Sequence, residues 1–160
     1  MMMGVLKESA QIVQDVIIQS GYNNQVIELP QSARTAQEAA DALNCKVAQI
    51  AKSIIFRLVE SNYPVLVIAS GVNRVNEKQI ELQLNQKLGK ADAEFVREHT
   101  GFVIGGVSPI GHKNSLITFI DEDLFQYEEI WAAAGHPKAI FQLTPNELLE
   151  MTKGTVVNIK

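Results

Sequence analysis

The sequence predicts an α+β fold, with strands in two blocks and helices between them. Two observations lead to this class. Segments with apolar residues at three- and four-residue spacing alternate with short apolar runs typical of strands. Many of these runs follow one another through connections too tight for a purely parallel sheet. With 160 residues, of which 46% are hydrophobic, we expect one domain, residues 1–160, with a substantial core.

The first part of the chain predicts a helix, a strand and a second helix. Apolar residues at helical spacing indicate an amphipathic helix over residues 5–19. The run VIEL, residues 26–29, predicts a short strand. Thr35 and Glu38 have the spacing of a capping box, so we expect an Ala-rich helix that begins there and ends near Asn44.

Two strands follow, Ile50 to Val59 and Val65 to Ala69, joined through the segment SNYP. The second strand is apolar at every position, which is typical of a strand that is covered on both faces. The two strands therefore predict a central pair of the sheet.

The next region predicts two helices. The first is expected to begin at Asn76 and to carry Leu88 on its apolar face, with Gly89 just after its end. Asp92 is a suitable N-cap for a shorter helix that continues to Thr100.

The last third of the chain changes in pattern. Thr144, Pro145 and Glu147 combine an N-cap, a proline at the first helical position and a capping-box acid, so a helix is expected from there to Met151. The run TVVNI after it predicts a final edge strand. Before this helix, apolar runs alternate with Gly, Pro and Asp, as in a β-rich region; the runs are FVIGGVSPIGH, LITFID, EEIWAAAG and KAIFQL.

Composition and charge exclude several classes of protein. Eighteen acidic and fourteen basic residues give a net charge of −4, so the whole surface is not the electropositive footprint of a protein that lies along duplex DNA. One cysteine, Cys45, excludes an internal disulfide and a multi-cysteine metal cluster. The apolar runs are far shorter than the roughly 20 residues of a membrane helix, and MMMGVLKES lacks a signal-peptide core. We expect a soluble, cytosolic protein without a metal or other cofactor.

Lys52 is the first candidate site residue. In the strand QIAKSIIFRL it alternates in step with Ile50 and Ile54, so its ammonium group points to the side of the apolar residues. An unpaired buried ammonium costs several kcal/mol. The pattern leaves two alternatives open. Lys52 lies at a sheet edge or pairs with a carboxylate, or it lines a pocket and holds an oxygen of a ligand.

The second candidate is the glycine-rich segment GGVSPIG, residues 105–111. Glycines let a backbone approach a ligand and turn its N–H groups inward, where they can stabilise a developing oxyanion. An ordinary turn remains the alternative. The spacing fits neither a dinucleotide-binding fingerprint nor a P-loop, and Ser108 lacks the G-x-S-x-G arrangement of a nucleophile elbow.

Four further residues are weaker candidates. His112 and His136 each follow a glycine, but neither has the i+4 histidine partner of a metal motif. Cys45 has no histidine nearby in the sequence that would activate it. Asp121, which follows a predicted strand, is expected to cap the next turn rather than to act as a base.

Several segments together, in the same order, resemble the YbaK family. They are QIAKSIIFRL, PVLVIASGVNRVN, GFVIGGVSPIG, LITFID, AAAG and LTPNEL. The resemblance extends from about Val26 to about Met151. The family includes the editing domain inserted in bacterial prolyl-tRNA synthetases and its free-standing relatives. It implies an α+β fold in which helices surround a mixed, largely antiparallel, barrel-like sheet. It also implies a free-standing deacylase of mischarged aminoacyl-tRNA, with misacylated tRNA(Pro) as the expected substrate.

The resemblance also implies roles for individual residues. Lys52 matches the family's lysine, and the segment from Gly105 to Pro109 matches its G-x-x-x-P loop. The implied catalytic set is Lys52, which positions the ligand, with the amides of Gly105 and Gly106, which stabilise the oxyanion while water or a substrate group attacks. Some relatives carry Asn or Thr where this chain has Ser53, so the edited amino acid stays unassigned. The implied substrate-binding residues are Ser53, Ser108, Pro109, Gly135 and His136.

The implied partners are the 3′ end of an aminoacyl-tRNA and a cognate synthetase, with no membrane and no duplex DNA. An enzyme that reads only the acceptor end needs few phosphate contacts, which agrees with the acidic composition. A non-catalytic module that keeps the pocket and binds an aminoacyl or nucleotide ligand remains the alternative. The cations available for local phosphate contacts are Lys46, Arg57, Arg74 and Lys113.

Overall fold

Five α-helices and eight β-strands form within residues 6–160, the part of the chain that the computed structural model describes. The helices are α1 (Glu8–Gln19), α2 (Ala36–Leu43), α3 (Glu77–Leu84), α4 (Ala93–Thr100) and α5 (Pro145–Thr152). The strands are β1 (Val26–Glu28), β2 (Ile50–Leu58), β3 (Pro64–Ser70), β4 (Leu88–Lys90), β5 (Ile117–Asp121), β6 (Ile130–Ala133), β7 (Ala139–Leu143) and β8 (Thr155–Val157). Short 3₁₀ helices precede β2 and follow β5.

The eight strands form one mixed sheet in the order β1-β7-β6-β2-β3-β5-β8, with β4 pairing to β2 off this path. Four of these pairings are antiparallel and three are parallel. The predicted α+β class is confirmed, and so is the central pair, because β2 and β3 pair over most of their length. The last strand, β8, lies at one end of the path, as predicted for an edge strand.

Apolar side chains cover both faces of the sheet, and β3 shows how. Leu66 and Ile68 point into a large cluster that also contains residues of α1. Val65 and Val67 point into a second cluster on the other face. All residues of β3 are buried, as predicted. Each such side chain contributes about 1.5–3 kcal/mol by leaving water. The β2–β3 pair is therefore a rigid support for Lys52.

The helices begin where the capping residues predicted. The Thr35 hydroxyl accepts a hydrogen bond from the Glu38 N–H at 3.1 Å, and the Asp92 carboxylate accepts one from the Phe95 N–H at 2.8 Å. Helix α1 is confirmed from Glu8, while residue 5, the start expected from the sequence, lies outside the described residues. The helices α2 and α4 therefore begin at the residues whose side chains cap them.

Two details of the predicted secondary structure are wrong. Leu88 does not extend α3, because Asn85 adopts a left-handed φ of 53° and ends the helix; Leu88 instead begins β4, which pairs with β2. The segment FVIGGVSPIGH forms no strand, since residues 102–116 consist of turns, bends and irregular chain. Positive φ values of 91° at Gly105 and 79° at Gly111 interrupt an extended backbone there.

Thr144→Ala is expected to lower the free energy of unfolding by about 1 kcal/mol. The Thr144 hydroxyl accepts a hydrogen bond from the Glu147 N–H at 3.1 Å, and the Glu147 carboxylate accepts one from the Thr144 N–H at 2.8 Å. Alanine removes the first of these bonds. Urea denaturation measures the change, with Thr144→Ser as the control that keeps the hydroxyl. Equal losses in both variants would contradict the capping role.

Candidate functional site

A cleft of about 740 Å³, here called the Lys52 cleft, opens beside β2. It exists because β2 and β6 pair at only two positions, Ile50 with Trp131 and Ala51 with Ala132, and then separate. In the described chain no strand pairs with this edge of β2 again until β4 joins it at Phe56. The walls of the cleft come from β2, β6, β7, the start of α2 and the glycine-rich turn.

Lys52 lies half-buried in the wall of this cleft. Its Nζ is 3.5 Å from the carbonyl oxygen of Gly71, a long hydrogen bond, and no described carboxylate lies within ion-pair distance of it. Burial lowers the pKa of Lys52, and the negative charge of Asp121 partly opposes that effect. The ammonium group therefore keeps donors available for a ligand in the cleft.

Asp121 is a buried carboxylate that supports Lys52 indirectly. Its Oδ2 accepts hydrogen bonds from the Ser70 N–H and the Asn73 amide, both at 2.9 Å. This fixes the turn that carries Gly71, whose carbonyl is the acceptor for Lys52. Asp121 Oδ1 accepts from a backbone N–H in the following 3₁₀ helix, so the predicted capping role is confirmed. The link between Asp121 and Lys52 is not visible in the sequence, because it arises from the pairing of β2 with β3 and of β3 with β5.

Gly105 lies in the wall of the same cleft as Lys52. Its φ is 91°, a region that favours glycine. A Cβ at this position would lie 3.0 Å from Cγ of Arg34, so a side chain would also crowd that residue. No described residue accepts a hydrogen bond from the Gly105 N–H, which leaves this donor available to a ligand.

The Gly106 amide, which is expected to stabilise an oxyanion, makes a hydrogen bond within its own turn. Its N–H donates a hydrogen bond to the carbonyl of Val103 at 2.9 Å and closes the turn. A Cβ on Gly106 would lie 2.8 Å from the backbone of His136. Glycine is thus required at this position for close packing of two backbone segments, and its amide donor is already used.

The other predicted binding residues do not share one location. Ser53 lines the Lys52 cleft, where its buried hydroxyl makes no hydrogen bond to a described residue. Ser108 and Pro109 are buried and do not line this cleft. The Ser108 hydroxyl instead accepts a hydrogen bond from the Ile110 N–H at 3.2 Å. Within the described structure these two residues shape the loop rather than the surface that a ligand would meet.

Gly135 and His136 line a neighbouring cleft of about 330 Å³, here called the His136 cleft. His136 Nδ1 accepts a hydrogen bond from the Lys138 N–H at 3.0 Å. Arg34 lines both clefts. The residues expected to bind the substrate are therefore divided between two adjacent clefts that meet at Arg34.

Arg34 is a candidate site residue that is not predictable from the sequence, because nothing in its local pattern marks it. It precedes the N-cap of α2, and only the tertiary fold brings it to Gly105. A hydrogen bond of 2.7 Å from the Ala33 N–H to the Pro137 carbonyl holds this segment in place. None of the cations expected to contact phosphate lines either cleft; they are Lys46, Arg57, Arg74 and Lys113.

The remaining candidates have structural explanations. His112 Nε2–H donates to the Ser108 carbonyl at 2.6 Å, and burial lowers the pKa of His112. Burial raises the pKa of the Cys45 thiol, which is the opposite of what an activated nucleophile requires. Residues 6–160 contain no group of three or more His, Cys, Asp or Glu side chains that could hold a metal ion. Over the same range, every helix is too short or too polar to cross a membrane.

The fold is that of a tRNA-editing domain. The family model of the aminoacyl-tRNA editing domain matches residues 30–151. The chain therefore belongs to the aminoacyl-tRNA editing domain family, as the resemblance to YbaK predicted.

Individual relatives agree with this assignment. A solved structure of a candidate trans-editing enzyme for prolyl-tRNA synthetase is 43% identical, has a TM-score of 0.92, and matches over 98% of this chain and 99% of that one. The uncharacterised protein YwhH of Bacillus subtilis is 30% identical over 81% of this chain and 82% of its own. EbsC of Enterococcus faecalis, named as a candidate Cys-tRNA(Pro)/Cys-tRNA(Cys) deacylase, is 26% identical over 78% of this chain and 76% of its own. A proline–tRNA ligase of Limosilactobacillus fermentum is 32% identical over 58% of this chain but only 17% of the ligase.

Proposed function

We propose that this protein is a deacylase that hydrolyses the ester bond of a mischarged aminoacyl-tRNA, with misacylated tRNA(Pro) as its expected substrate. The observation that carries the proposal is the position of Lys52 and Gly105, which are far apart in the chain but line one cleft. Membership of the editing-domain family supports it, as do the relatives named for prolyl-tRNA synthetase and for tRNA(Pro).

In the proposed site Lys52 positions the substrate. Its ammonium group is a compact charge with three donors, and its one contact in the described structure is the long hydrogen bond to Gly71. An oxygen of the aminoacyl group or of the terminal ribose would take up the free donors. Holding the ester in a fixed orientation removes part of the entropic barrier to attack.

The Gly105 N–H would stabilise the charge that develops on the ester carbonyl. Attack by water forms a new bond from oxygen to the carbonyl carbon and breaks the bond to the ribose oxygen, which takes up a proton as it leaves. A hydroxyl of the substrate can assist this step. The ester is already activated, so a strong protein nucleophile is not required. Cys45 and His112 lie outside the cleft lining, which fits catalysis by positioning and charge stabilisation.

The side chain of the esterified amino acid would lie against an apolar wall of the Lys52 cleft. Ala132, Ala133 and Ile140 line the Lys52 cleft near the lysine. Small apolar residues leave room for a short side chain, and one methylene of difference in such a pocket changes binding by about 1–3 kcal/mol. A small amino acid mischarged onto tRNA(Pro) suits this wall better than a charged one.

We propose further that the chain acts as one editing domain, residues 1–160, on the acceptor end of tRNA, with the synthetase selecting the tRNA. The work of such an enzyme belongs to the cytoplasm, where tRNA is charged. Arg34 lines the Lys52 cleft together with Lys52, so its charge is available for a local contact with a phosphate of the tRNA. A local contact of this kind agrees with a net charge of −4.

A deacylation panel tests the proposal. The protein is incubated with tRNA(Pro) and other tRNAs charged with Ala, Cys, Ser, Thr or Pro, and loss of the ester is followed against a protein-free control. We expect rapid loss from a mischarged tRNA(Pro) and slow loss from Pro-tRNA(Pro). Binding of these tRNAs without hydrolysis of any would refute the enzyme and favour the non-catalytic module.

A further inference from the structure

The His136 cleft carries a positive charge that the proposed chemistry does not use. We propose that it binds a phosphodiester group of the RNA whose 3′ end occupies the Lys52 cleft. This inference rests on the proposed function for the identity of the RNA. It adds a second binding site, with Arg34, Lys138 and His136 as the recognising side chains.

The lining of the His136 cleft is positively charged, although the protein as a whole has a net negative charge. Arg34 and Lys138 are cations, and no acidic residue lines the cleft, although the chain has eighteen acidic residues and fourteen basic ones. Neither Arg34 nor Lys138 forms an ion pair with a described residue. Both are exposed, so their charges are available to an anion.

The backbone holds these cations on adjacent segments. The Leu29 N–H donates to the Lys138 carbonyl at 2.6 Å, and the Ala33 N–H donates to the Pro137 carbonyl at 2.7 Å. The segment that leads to Arg34 is therefore tied to the segment that carries His136 and Lys138. Such pre-organisation reduces the entropy lost when a ligand binds.

Arg34 connects this cleft with the Lys52 cleft. Its aliphatic stem packs over Gly105, where a Cβ would lie 3.0 to 3.5 Å from its carbons, and it lines both clefts. An RNA whose terminal nucleotide occupies the Lys52 cleft would pass Arg34 as its chain continues. A guanidinium group suits this position because it can bind a phosphate through two parallel hydrogen bonds.

A free phosphate or a mononucleotide offers the same chemistry, but the site favours a phosphate that belongs to RNA. Its cations are exposed side chains, and such groups hold an isolated anion weakly. A phosphate tethered to a nucleotide in the adjacent cleft binds at a high effective concentration.

The test measures binding of an RNA hairpin that ends in CCA and carries no amino acid, so that no hydrolysis is required. The variant is Arg34→Gln with Lys138→Gln, which keeps the stems and removes both charges. The control is Lys78→Gln with Arg97→Gln, two exposed cations outside both clefts. For the loss of this one phosphate contact we expect Kd to rise about fourfold near 0.15 M salt, and the magnitude of the slope of log K against log salt to fall by about 0.7. The control should change neither value by a comparable amount.

A chemical variant of the RNA tests the same contact with the unchanged protein. Replacing the last phosphodiester linkages of the hairpin by uncharged methylphosphonates should weaken its binding to the natural chain, but not to the Arg34/Lys138 variant. Equal binding of both hairpins by the natural chain would overturn the proposal, as would a variant that binds like the control. Inorganic phosphate that binds as tightly as the hairpin would identify a free anion as the ligand and overturn the RNA assignment. This experiment measures only binding. Absence of hydrolysis in the deacylation panel would therefore refute the proposed deacylase activity, but it would not affect the test of phosphate binding in the His136 cleft.

Discussion

Lys52→Met is expected to reduce deacylation of the preferred mischarged tRNA by about 100-fold, because the ester loses the donor that orients it for attack. Methionine keeps the length of the stem and removes the ammonium group. Single-turnover measurements report the rate of ester loss. Lys87→Met, an exposed lysine outside the Lys52 cleft, is the control and should keep full activity. Turnover near the natural rate in Lys52→Met would refute the role of the lysine.

The same substitution should not reduce stability at neutral pH. Burial lowers the pKa of Lys52 in the folded chain below its usual value of 10.5. At a pH between the lowered pKa and 10.5, the unfolded chain therefore binds more protons than the folded chain. The natural protein therefore gains stability from this group as pH rises through that window. The Lys52→Met variant lacks this pH-dependent gain in stability, because methionine has no group that takes up a proton. We expect its Tm at pH 7 to equal or exceed that of the natural chain, with the difference narrowing as pH approaches 10.

Gly105→Ala is expected to reduce deacylation to a similar extent. A non-glycine residue in the left-handed region costs about 1–2 kcal/mol, and φ is 91° here. The added Cβ would also lie 3.0 Å from Arg34 Cγ. The turn must then shift, and its free N–H would move away from the carbonyl that it stabilises. A displacement of about 1 Å in such a donor can cost a hundredfold in rate.

Gly21→Ala provides the control for Gly105→Ala. Gly21 has a φ of 87°, no atom within 4 Å of its added Cβ, and no part in the Lys52 cleft. Both variants should lose stability in urea denaturation, Gly105→Ala at least as much as Gly21→Ala because of its contact with Arg34, while only Gly105→Ala loses activity. Full activity of Gly105→Ala at saturating substrate would refute the proposed oxyanion donor.

Much of the fold followed from local signals in the sequence. The continuous apolar run of β3 and the capping residues Thr35 and Thr144 are signals that extend over only a few residues, so they are readable without the tertiary structure. Leu88 was misassigned because helical spacing does not distinguish the last turn of a helix from the start of a strand. The segment after Gly101 was misassigned because apolar residues in a glycine-rich loop can be buried without forming a strand.

The candidate site was less predictable than the fold. The pattern and the family resemblance pointed to Lys52 and Gly105, and both line one cleft. The use of the Gly106 amide within its own turn depends on the loop conformation, which periodicity does not report. The placement of His136 in a separate cleft, and of Arg34 between the two, depends on hydrogen bonds between segments remote in sequence.

The early divergence of β2 from β6 has a consequence for how such proteins change over evolution. Backbone pairing at Ile50 and Ala51 fixes the point where β2 and β6 separate. Side chains on the two strands beyond this point determine the volume of the Lys52 cleft. Replacing Ala133, which lies beyond the paired residues of β6, by a bulkier residue would reduce the volume of the Lys52 cleft without changing that pairing. One scaffold can therefore acquire a new preference through a single substitution while the lysine stays in place.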